Sequence, residues 1–410
     1  MSSRKLVVIG GSSPNTPALF KALDGTRTRG WDEVCLVGRS AERVEKIGQT
    51  CAAVVAERGL EMRVTWETDL ARAAQGAWCV LNMLRVGGAA AVAEDRRVLA
   101  ASGVVGHAAS YPEAIRHLEP TLAAARTVES VAPGAIFVNF ANPVSILCEA
   151  VASETRLNCL GICHHAFSMR TDFARLLSVA LERVRVEYLG LNHLGWVTDV
   201  LVDGESRLGH LVDILVAGQV KAYDYDLAAQ FNAIPIKHAA ALYRSGEVLY
   251  VRQSGLKNSA VDVLLRYGVG GAHFRRVVER REQRADQAPH DTWYSTCIVP
   301  FLDALDDGRA HEFVLTWRSG GLVPGLPGRT AESTATLHHR QVTPGPFGSR
   351  LPLAAIEWLH LVRQSERLLL RAVAERSPFT LFEALAIHPS VASVEHARRC
   401  VERLAPFRDA

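Results

Sequence analysis

The chain has 410 residues, of which 48% are hydrophobic and 22% charged, and its formal net charge is +3. This length favours a large core in two domains. The weak and interspersed charge argues against nucleic acid or an anionic membrane as partner. No apolar run reaches the roughly 18 residues that a membrane helix needs. The eight cysteines show no CxxC spacing and no signal-peptide pattern precedes them, so we expect a reducing, cytoplasmic location.

The first predicted element is a strand, Lys5–Ile9, whose continuous apolar and β-branched sequence is typical of the centre of a parallel sheet. Gly10, Gly11 and Ser12 follow at once, and a helical pattern comes next. Small residues let the backbone approach a pyrophosphate, and the start of a helix supplies free N–H groups. The turn departs from GxGxxG at its third glycine, but its place at the start of an α/β pattern predicts a dinucleotide site.

The second predicted strand, Glu33–Val37, ends in Gly38, Arg39 and Ser40. Dinucleotide-binding folds commonly place an Asp or Glu here to hold the ribose 2′-hydroxyl. With no acid present, Arg39 and Ser40 could face a 2′-phosphate, which predicts NADP or a relaxed choice between NAD and NADP. The alternative is that Arg39 is a solvated loop residue.

Strands predicted at residues 63–66, 78–84, 135–140 and 157–162 alternate with helices, which indicates an α/β fold with a Rossmann-type, doubly wound parallel sheet. Ligands of such sheets bind beyond the carboxyl ends of the strands. We therefore expect cofactor contacts from Asn82 and Asn139 and substrate contacts from Arg85 and Asn142, with backbone capping as the alternative for a polar residue after a strand. A further strand end is predicted at 103–107 and carries His107.

A metal site is predicted from two residues that follow different strands. Cys163 comes directly after the strand at 157–162, and His193 follows a strand at 184–191. Thiolate and imidazole are both good ligands for one divalent ion. The alternative for Cys163 is a small buried hydrophobic residue.

The α/β alternation weakens after residue 165, which predicts a Rossmann dinucleotide-binding domain at 1–165 and an α+β domain at 166–410. Strands are expected at 197–202, before a hairpin turn at 203–204, and at 312–317. Residues 208–290 are expected to be mostly helical. The tail from 352 to 404 is expected to be amphipathic helix with breaks near 377–378 and 388–389.

Seven short segments, in this order along the chain, resemble those of glycoside hydrolase family 4. They are VVIGGSSPNTPAL near the start, LRVGG at 84–88, NFANPVSIL at 139–147, GICH at 161–164, GLNHLGW at 190–196, YS at 294–295 and ALAIHPSV at 384–391. The family comprises NAD- and divalent-metal-dependent glycosidases built on the lactate/malate dehydrogenase architecture. The second domain would accordingly bind substrate and metal and form a homodimer or homotetramer.

The resemblance implies that Cys163 and His193 ligate a Mn²⁺-like ion and that Asn142 and Arg85 contact the sugar, Arg85 near a 6-phosphate where there is one. These glycosidases are exceptions to the two-carboxylate scheme. In the family mechanism the nicotinamide takes hydride from sugar C3, and the metal polarises the C3 and C2 oxygens. A base then removes the C2 proton, the glycosidic oxygen leaves, water adds and the hydride returns.

The chain departs from the family at several positions around this site. His238 stands where the phospho-glucosidases carry a Tyr base, so it is either the base or a buried structural residue. Lys257 stands where a phosphate-contacting Arg is usual and would act as a point charge. His164 follows the metal Cys, as in members that act on unphosphorylated α-glycosides, and we count it as catalytic. The GQET-like segment at 106–109 has lost its acid.

We therefore expect an NAD(P)- and metal-dependent glycosidase that acts on a sugar or sugar phosphate and is similar to the 6-phospho-β-glucosidases. The alternative within the same fold is a sugar oxidoreductase or epimerase that does not cleave glycosides. A third hypothesis, from another class, is a catalytically silent sugar or nucleotide sensor. Retention of Cys163 and His193 argues against the sensor. If His238 is not the base, His107, His164 and Tyr243 are the alternatives.

Overall fold

The computed structural model describes residues 4–23, 31–218, 223–244, 293–321, 326, 328–345 and 351–404, without the side chains of residues 237 and 238. The statements on structure below refer to these residues. None of the helices described there is both long and apolar enough to cross a membrane.

Six parallel strands form the first half of the sheet and confirm the predicted Rossmann-type topology. They are β1 (Lys5–Ile9), β2 (Glu33–Val37), β3 (Arg63–Glu67), β4 (Ala77–Asn82), β5 (Ile136–Asn139) and β6 (Asn158–Gly161), in the spatial order β3-β2-β1-β4-β5-β6. Alternate residues point to opposite faces, so that Val8 and Leu36 pack in one hydrophobic core while Val7 and Cys35 pack in another. Burial on both faces explains why these strands are continuously apolar.

Helices cover both faces of this half. They are α1 (Pro17–Ala22), α2 (Ala41–Glu57), α3 (Leu70–Ala74), α4 (Gly88–Ser102), α5 (Tyr111–Val131) and α6 (Val144–Glu154). Two of these helices begin at a capping side chain. The Ser40 hydroxyl accepts from Arg43 N, and the Asp69 carboxylate accepts from Ala71 N.

The prediction of a strand at 103–107 is wrong. Gly103 ends α4 in a left-handed conformation with φ +70, and Gly106 begins a 3₁₀ helix, Gly106–Ser110, that leads into α5. Two glycines with positive φ so close together bend the chain away from an extended path. His107 therefore lies in a helical turn rather than at a strand end.

The remaining strands are mostly antiparallel and extend the same sheet beyond β6, in the order β6-β11-β12-β7-β8-β10. They are β7 (Val184–Leu191), β8 (Leu194–Val202), β9 (Glu205–Ser206), β10 (Ile234–Pro235), β11 (His311–Arg318), β12 (Thr330–His338) and β13 (Gln341–Pro344). β12 and β13 were not predicted. The two halves meet where Thr316 of β11 pairs with Gly161 of β6.

The helices of the second half are α7 (His164–Leu176), α8 (Leu208–Ala217), α9 (Tyr225–Phe231), α10 (Lys237–Tyr243), α11 (Val299–Ala304), α12 (Leu353–Glu375), α13 (Pro378–Ile387) and α14 (Val394–Val401). A π-helical turn, Tyr294–Ile298, leads directly into α11. The breaks predicted in the C-terminal tail are confirmed at Ser377, which caps α13, and at His388, which ends it.

Candidate functional site

Cys163 and His193 are brought together by the sheet. Cys163 follows β6 and is the residue before α7, while His193 lies in the two-residue turn between β7 and β8. The Cys163 Sγ atom is 3.0 Å from the Nε2 atom of His193. Two residues that the sequence separates by 30 positions therefore present a thiol and an imidazole to the same point.

The β7–β8 hairpin is unusually tight, and two glycines make this possible. Gly190 and Gly195 face each other across the hairpin, and a Cβ at Gly190 would lie 2.3 Å from the Cα of Gly195. His193 adopts a left-handed conformation with φ +60. Only this second residue of the turn has a positive φ, whereas the favoured two-residue hairpin turns need it at the first residue or at both, so the β7–β8 turn is not one of those types.

Buried polar groups hold this turn from behind. The Asn192 amide donates to Glu332 Oε1 at 3.4 Å, and its Oδ1 accepts from Val144 N at 3.3 Å. The Tyr188 hydroxyl lies 2.8 Å from Glu332 Oε2. Asn192, the residue before His193, is thus held by hydrogen bonds to both β12 and the start of α6.

Glu332 is a carboxyl group inside the protein. Burial is the main cause that raises its pKa to about 8, the nearby Cys163 thiolate raises it further, and the hydroxyl of Tyr188 opposes both. At neutral pH Glu332 is therefore mostly protonated and neutral behind the thiol.

The thiol and the imidazole are compatible with one divalent ion. A ligand nitrogen or sulfur lies about 2.0 to 2.3 Å from such an ion, so two donors 3.0 Å apart can both reach it with a small opening. Among the described residues, no group of three or more His, Cys, Asp and Glu side chains is arranged to hold a metal. Two protein ligands leave coordination positions for water or substrate oxygens, as catalytic sites require.

The turn after β1 fits a dinucleotide. Gly10 has φ +84, and a Cβ on it would lie 2.7 Å from the Met83 carbonyl oxygen. A Cβ on Gly38 would lie 2.8 Å from the Cβ of Ser12, so the turns after β1 and β2 pack against each other and place Ser12 close to Arg39. The Arg39 side chain is exposed at this edge. The predicted turn of small residues is present, and its close approach to neighbouring backbone requires glycine at positions 10 and 38.

One part of that prediction is wrong. Helix α1 begins only at Pro17, which has no N–H group. The amides of Thr16, Ala18 and Leu19 donate to carbonyl oxygens inside the same turn. A pyrophosphate at this position would therefore meet the turn around Ser12 rather than the start of a helix.

Asn82 and Asn139 are fully buried at the ends of β4 and β5. The Asn82 amide donates to Asn139 Oδ1 at 2.9 Å, and the Asn139 amide donates to the Ala141 carbonyl at 3.0 Å. The Oδ1 atom of Asn82 accepts from Leu84 N. The two side chains fix the backbone that leads to Arg85 and Asn142, as the capping alternative describes, and the cofactor contacts expected of Asn82 and Asn139 stay a prediction.

Arg85 and Asn142 are exposed, and α5 connects their loops. His117 Nε2 accepts from Val86 N at 2.9 Å, so the other ring nitrogen carries the proton and donates to the Asn142 carbonyl at 2.7 Å. Burial lowers the pKa of His117, which keeps it in this neutral form. One imidazole thus positions both substrate candidates.

Glu113, one helical turn before His117, was missed by the sequence analysis. Burial raises the pKa of its half-buried carboxyl, while Arg85 and Arg116 oppose the rise, and His193 also interacts with it. A carboxyl group therefore stands among the predicted sugar and metal residues. Only the fold could have shown this, because Glu113 lies inside helix α5 and does not follow a strand.

The predicted proton-transfer residues have different outcomes. Position 238 lies in the first turn of α10, but its side chain is outside the described residues, as is all of Lys257. His164 is half-buried beside Cys163, and burial lowers its pKa, so it is neutral at pH 7. Tyr243 is half-buried, and burial raises the pKa of its hydroxyl.

His107 is fully buried and stacks on His388, with ring centroids 5.5 Å apart. His388 Nδ1 accepts from Ser390 N at 3.0 Å, so its Nε2–H points to His107 Nδ1 at 3.3 Å. The remaining nitrogen of His107 lies 3.4 Å from Glu366 Oε1. Burial lowers the pKa of His107 to about 3. His107 is therefore a neutral, buried imidazole in a series of side-chain contacts that joins the two halves of the protein. It is poorly suited as a base.

Two family models match the chain. They are described as "Family 4 glycosyl hydrolase", over residues 5–179, and "Family 4 glycosyl hydrolase C-terminal domain", over residues 188–391. Among curated relatives, a 6-phospho-β-glucosidase of Escherichia coli is 24% identical over 98% of this chain and 93% of its own. A probable 6-phospho-β-glucosidase of Bacillus subtilis is 27% identical over 60% of this chain and 59% of its own.

Solved structures share the fold. A 6-phospho-β-glucosidase from Thermotoga maritima, determined with manganese, NAD⁺ and glucose-6-phosphate, superposes with a TM-score of 0.80 at 21% identity, over 99% of this chain and 98% of its own. A lactate dehydrogenase from a deep-sea metagenome superposes with a TM-score of 0.58 at 13% identity, over 91% of this chain and all of its own. The predicted lactate/malate dehydrogenase-like architecture is confirmed.

Proposed function

The chain belongs to the family 4 glycosyl hydrolases, and from this premise we propose that it cleaves glycosides with a nicotinamide cofactor and a Mn²⁺-like ion. The observation that carries the proposal is the 3.0 Å approach of Cys163 Sγ to His193 Nε2. The bound groups supply reversible oxidation of the sugar at C3 and polarisation of its C2 and C3 oxygens. Everything else must come from the protein's own side chains.

Cys163 and His193 hold the ion, and the Glu332–Asn192 contact keeps the imidazole aimed at it. Ser12 and Arg39 take the adenosine side of NAD or NADP. Because Asn82 and Asn139 are buried, they act on the cofactor through the backbone that they fix rather than by direct contact.

Arg85 and Asn142 orient the sugar from two loops that His117 ties together. An exposed Arg85 suits a 6-phosphate, which agrees with the glucose-6-phosphate bound to the Thermotoga maritima enzyme, and Lys257 adds a second positive charge. We therefore propose a sugar-6-phosphate glycoside as substrate, with both anomers kept as candidates.

The proton at sugar C2 is taken by His238, or by His164 if position 238 serves packing only. Both are neutral imidazoles above about pH 7 if their pKa values do not exceed the reference of ~6.5. Residues 1–165 would carry the cofactor, and residues 166–410 would supply His193 and the oligomer contacts of a cytoplasmic homodimer or homotetramer.

The test is incubation with NAD or NADP, Mn²⁺ and a panel of α- and β-glycosides, with and without 6-phosphate, in D₂O. Deuterium at C2 and release of the aglycone are followed separately. Release that depends on both cofactor and metal supports the glycosidase. Exchange at C2 without any release would identify the oxidoreductase or epimerase instead, and the absence of both would refute the proposal for this panel.

A further inference from the structure

Trp293 presents a partly exposed indole ring beside the metal-ligand pair. Its ring centroid is 6.2 Å from that of Phe140 and 6.2 Å from that of His164, and 37% of the residue is exposed. Phe140 directly follows β5, and His164 directly follows Cys163. The indole therefore spans the carboxyl ends of β5 and β6.

Trp293 directly precedes the π-helical turn Tyr294–Ile298, which lies between two helices of the site. The turn packs against α1, which follows the glycine turn, and against α7, which follows Cys163. Its Cys297 lies near Cys163: burial raises the pKa of Cys297 well above its ordinary value, and Cys163 adds to the rise. Single π-helical turns are uncommon and often mark functional positions.

The sheet order indicates what should lie against the indole. A dinucleotide crosses the carboxyl edge of such a sheet with its pyrophosphate at the turn after β1. With Arg39 after β2 taking the adenosine side, the nicotinamide half must extend the opposite way, over β4, β5 and β6. At about 4.8 Å per strand, β5 lies roughly 10 Å from β1. The nicotinamide would therefore lie near the carboxyl ends of β5 and β6, where the side chains are Phe140, His164 and Trp293.

We propose that Trp293 is a nicotinamide-contacting residue whose indole, backed by Phe140 and His164, prefers the oxidised, cationic ring. This rests on the proposed function, since it requires that the protein binds a nicotinamide cofactor. Indole is the best aromatic partner for a cation, and a flat ring stacks on its face. The reduced nicotinamide is neutral, so it keeps the stacking contact and loses the attraction between charge and ring.

The test uses calorimetric titration of the full-length protein with NAD⁺, NADH and ADP-ribose, which lacks the nicotinamide. In Trp293→Leu we expect NAD⁺ to bind about threefold to tenfold more weakly than in the parent. The affinity for NADH should fall by a smaller factor, and the affinity for ADP-ribose should not change. Trp293→Phe should restore part of the NAD⁺ affinity. The matched control is Trp78→Leu, because Trp78 lies near the amino end of β4, away from the cofactor edge.

Equal weakening of NAD⁺ and ADP-ribose in Trp293→Leu would indicate a general distortion and overturn the assignment. So would unchanged NAD⁺ affinity, and in that case a KM change that depends on the leaving group would reassign the ring to the aglycone. If Trp293→Leu does not fold, the ratio of NAD⁺ to NADH affinity in Trp293→Phe decides. Failure of the parent protein to bind any of the three ligands would instead refute the proposed cofactor.

Discussion

At the scale of single residues, the metal prediction depends most on Cys163. Replacing it with Ser exchanges a thiolate for a hydroxyl that stays protonated at neutral pH and binds divalent ions poorly. We expect Cys163→Ser to lose most of its Mn²⁺ affinity, measured by calorimetry, and most of its activity. Cys51→Ala, in the buried side of α2, is the control. Full activity of Cys163→Ser after EDTA treatment would contradict the site.

Arg39 is the residue that should decide between NAD and NADP. Arg39 is exposed directly after Gly38, which packs against Ser12, at the strand end where an acid would hold a ribose hydroxyl. A charge-assisted bond to a 2′-phosphate contributes about 1.5 to 3 kcal/mol, so Arg39→Ala should weaken NADP binding roughly tenfold or more and leave NAD unchanged. Titration of both cofactors measures this, with Arg43→Ala as the exposed control. A strong NAD preference in both the parent and Arg39→Ala would refute the role.

His238 is expected to be the base, and its loss should separate the two chemical events at the sugar. His238→Ala should slow deuterium exchange at C2 by around 10²-fold, the usual size of a general-base contribution, while a burst of reduced nicotinamide persists. The parent activity should fall below roughly pH 6, as an imidazole with a reference pKa of ~6.5 gains its proton. His210→Ala, at an exposed position of α8, is the control. Exchange at the parent rate in His238→Ala would direct the search to His164 or Tyr243.

The sequence was sufficient to place Cys163 and Arg85 after the carboxyl ends of parallel strands, where ligands of such sheets bind. His193 follows an antiparallel strand, so this rule does not place it, and its pairing with Cys163 was predicted from ligand chemistry and the family resemblance. The sequence was not sufficient for the residues that support these side chains. Glu332 stands 140 positions after Asn192, in a segment where the sequence predicted no strand. Only the pairing of β12 with β7 brings its carboxyl behind the metal ligands.

At the scale of elements, the β7–β8 hairpin depends on Asn192. Asn192→Ala would leave the buried amide of Val144 without its acceptor and the Glu332 carboxyl without one donor. We expect a loss of about 1 to 3 kcal/mol in the free energy of unfolding and about tenfold weaker Mn²⁺ binding, since supports of metal ligands typically matter by 10- to 100-fold. Denaturant melts and calorimetry measure the two effects.

The control is Asn158→Ala, because the Asn158 amide donates to the Arg340 carbonyl at an exposed position. If Asn192→Ala lowered stability but bound Mn²⁺ as tightly as the parent, the hairpin would not depend on this residue for aiming His193.

The six strands of the parallel half were predicted to within two residues, because their apolar patterns are strong. The errors lie where glycines or long-range pairing decide. Gly103 and Gly106 convert an apolar stretch into a turn and a 3₁₀ helix. β12 alternates small and polar residues and becomes a buried strand only between β7 and β11.

At the scale of the whole molecule, the His107–His388 pair makes stability depend on pH. Burial lowers the pKa of His107 to about 3 and that of His388 well below its ordinary value. Below about pH 6.5 these two imidazoles bind protons in the unfolded chain but stay neutral in the native state. The free energy of unfolding therefore falls as pH falls, by up to about 1.4 kcal/mol per pH unit for each His.

His107→Gln keeps an acceptor for His388 and a donor for Glu366 but cannot titrate. We expect its free energy of unfolding to fall less steeply than that of the parent between pH 6.5 and 5, as measured by urea melts. His396→Gln, at an exposed position of α14, should keep the parent slope. Equal slopes for all three proteins would show that the pair does not govern acid sensitivity.

The junction between Gly161 and Thr316 has a consequence for how the protein is made. The parallel half ends at β6, and the strand that covers its free edge, β11, is synthesised roughly 150 residues later. Until then the nascent chain carries an unpaired edge flanked by buried apolar residues, which is the kind of surface that recruits strands from other chains. Chaperone capture over that interval would protect the yield, whereas slower translation would prolong the exposure. A protein truncated before β11 should aggregate even though its cofactor half is complete.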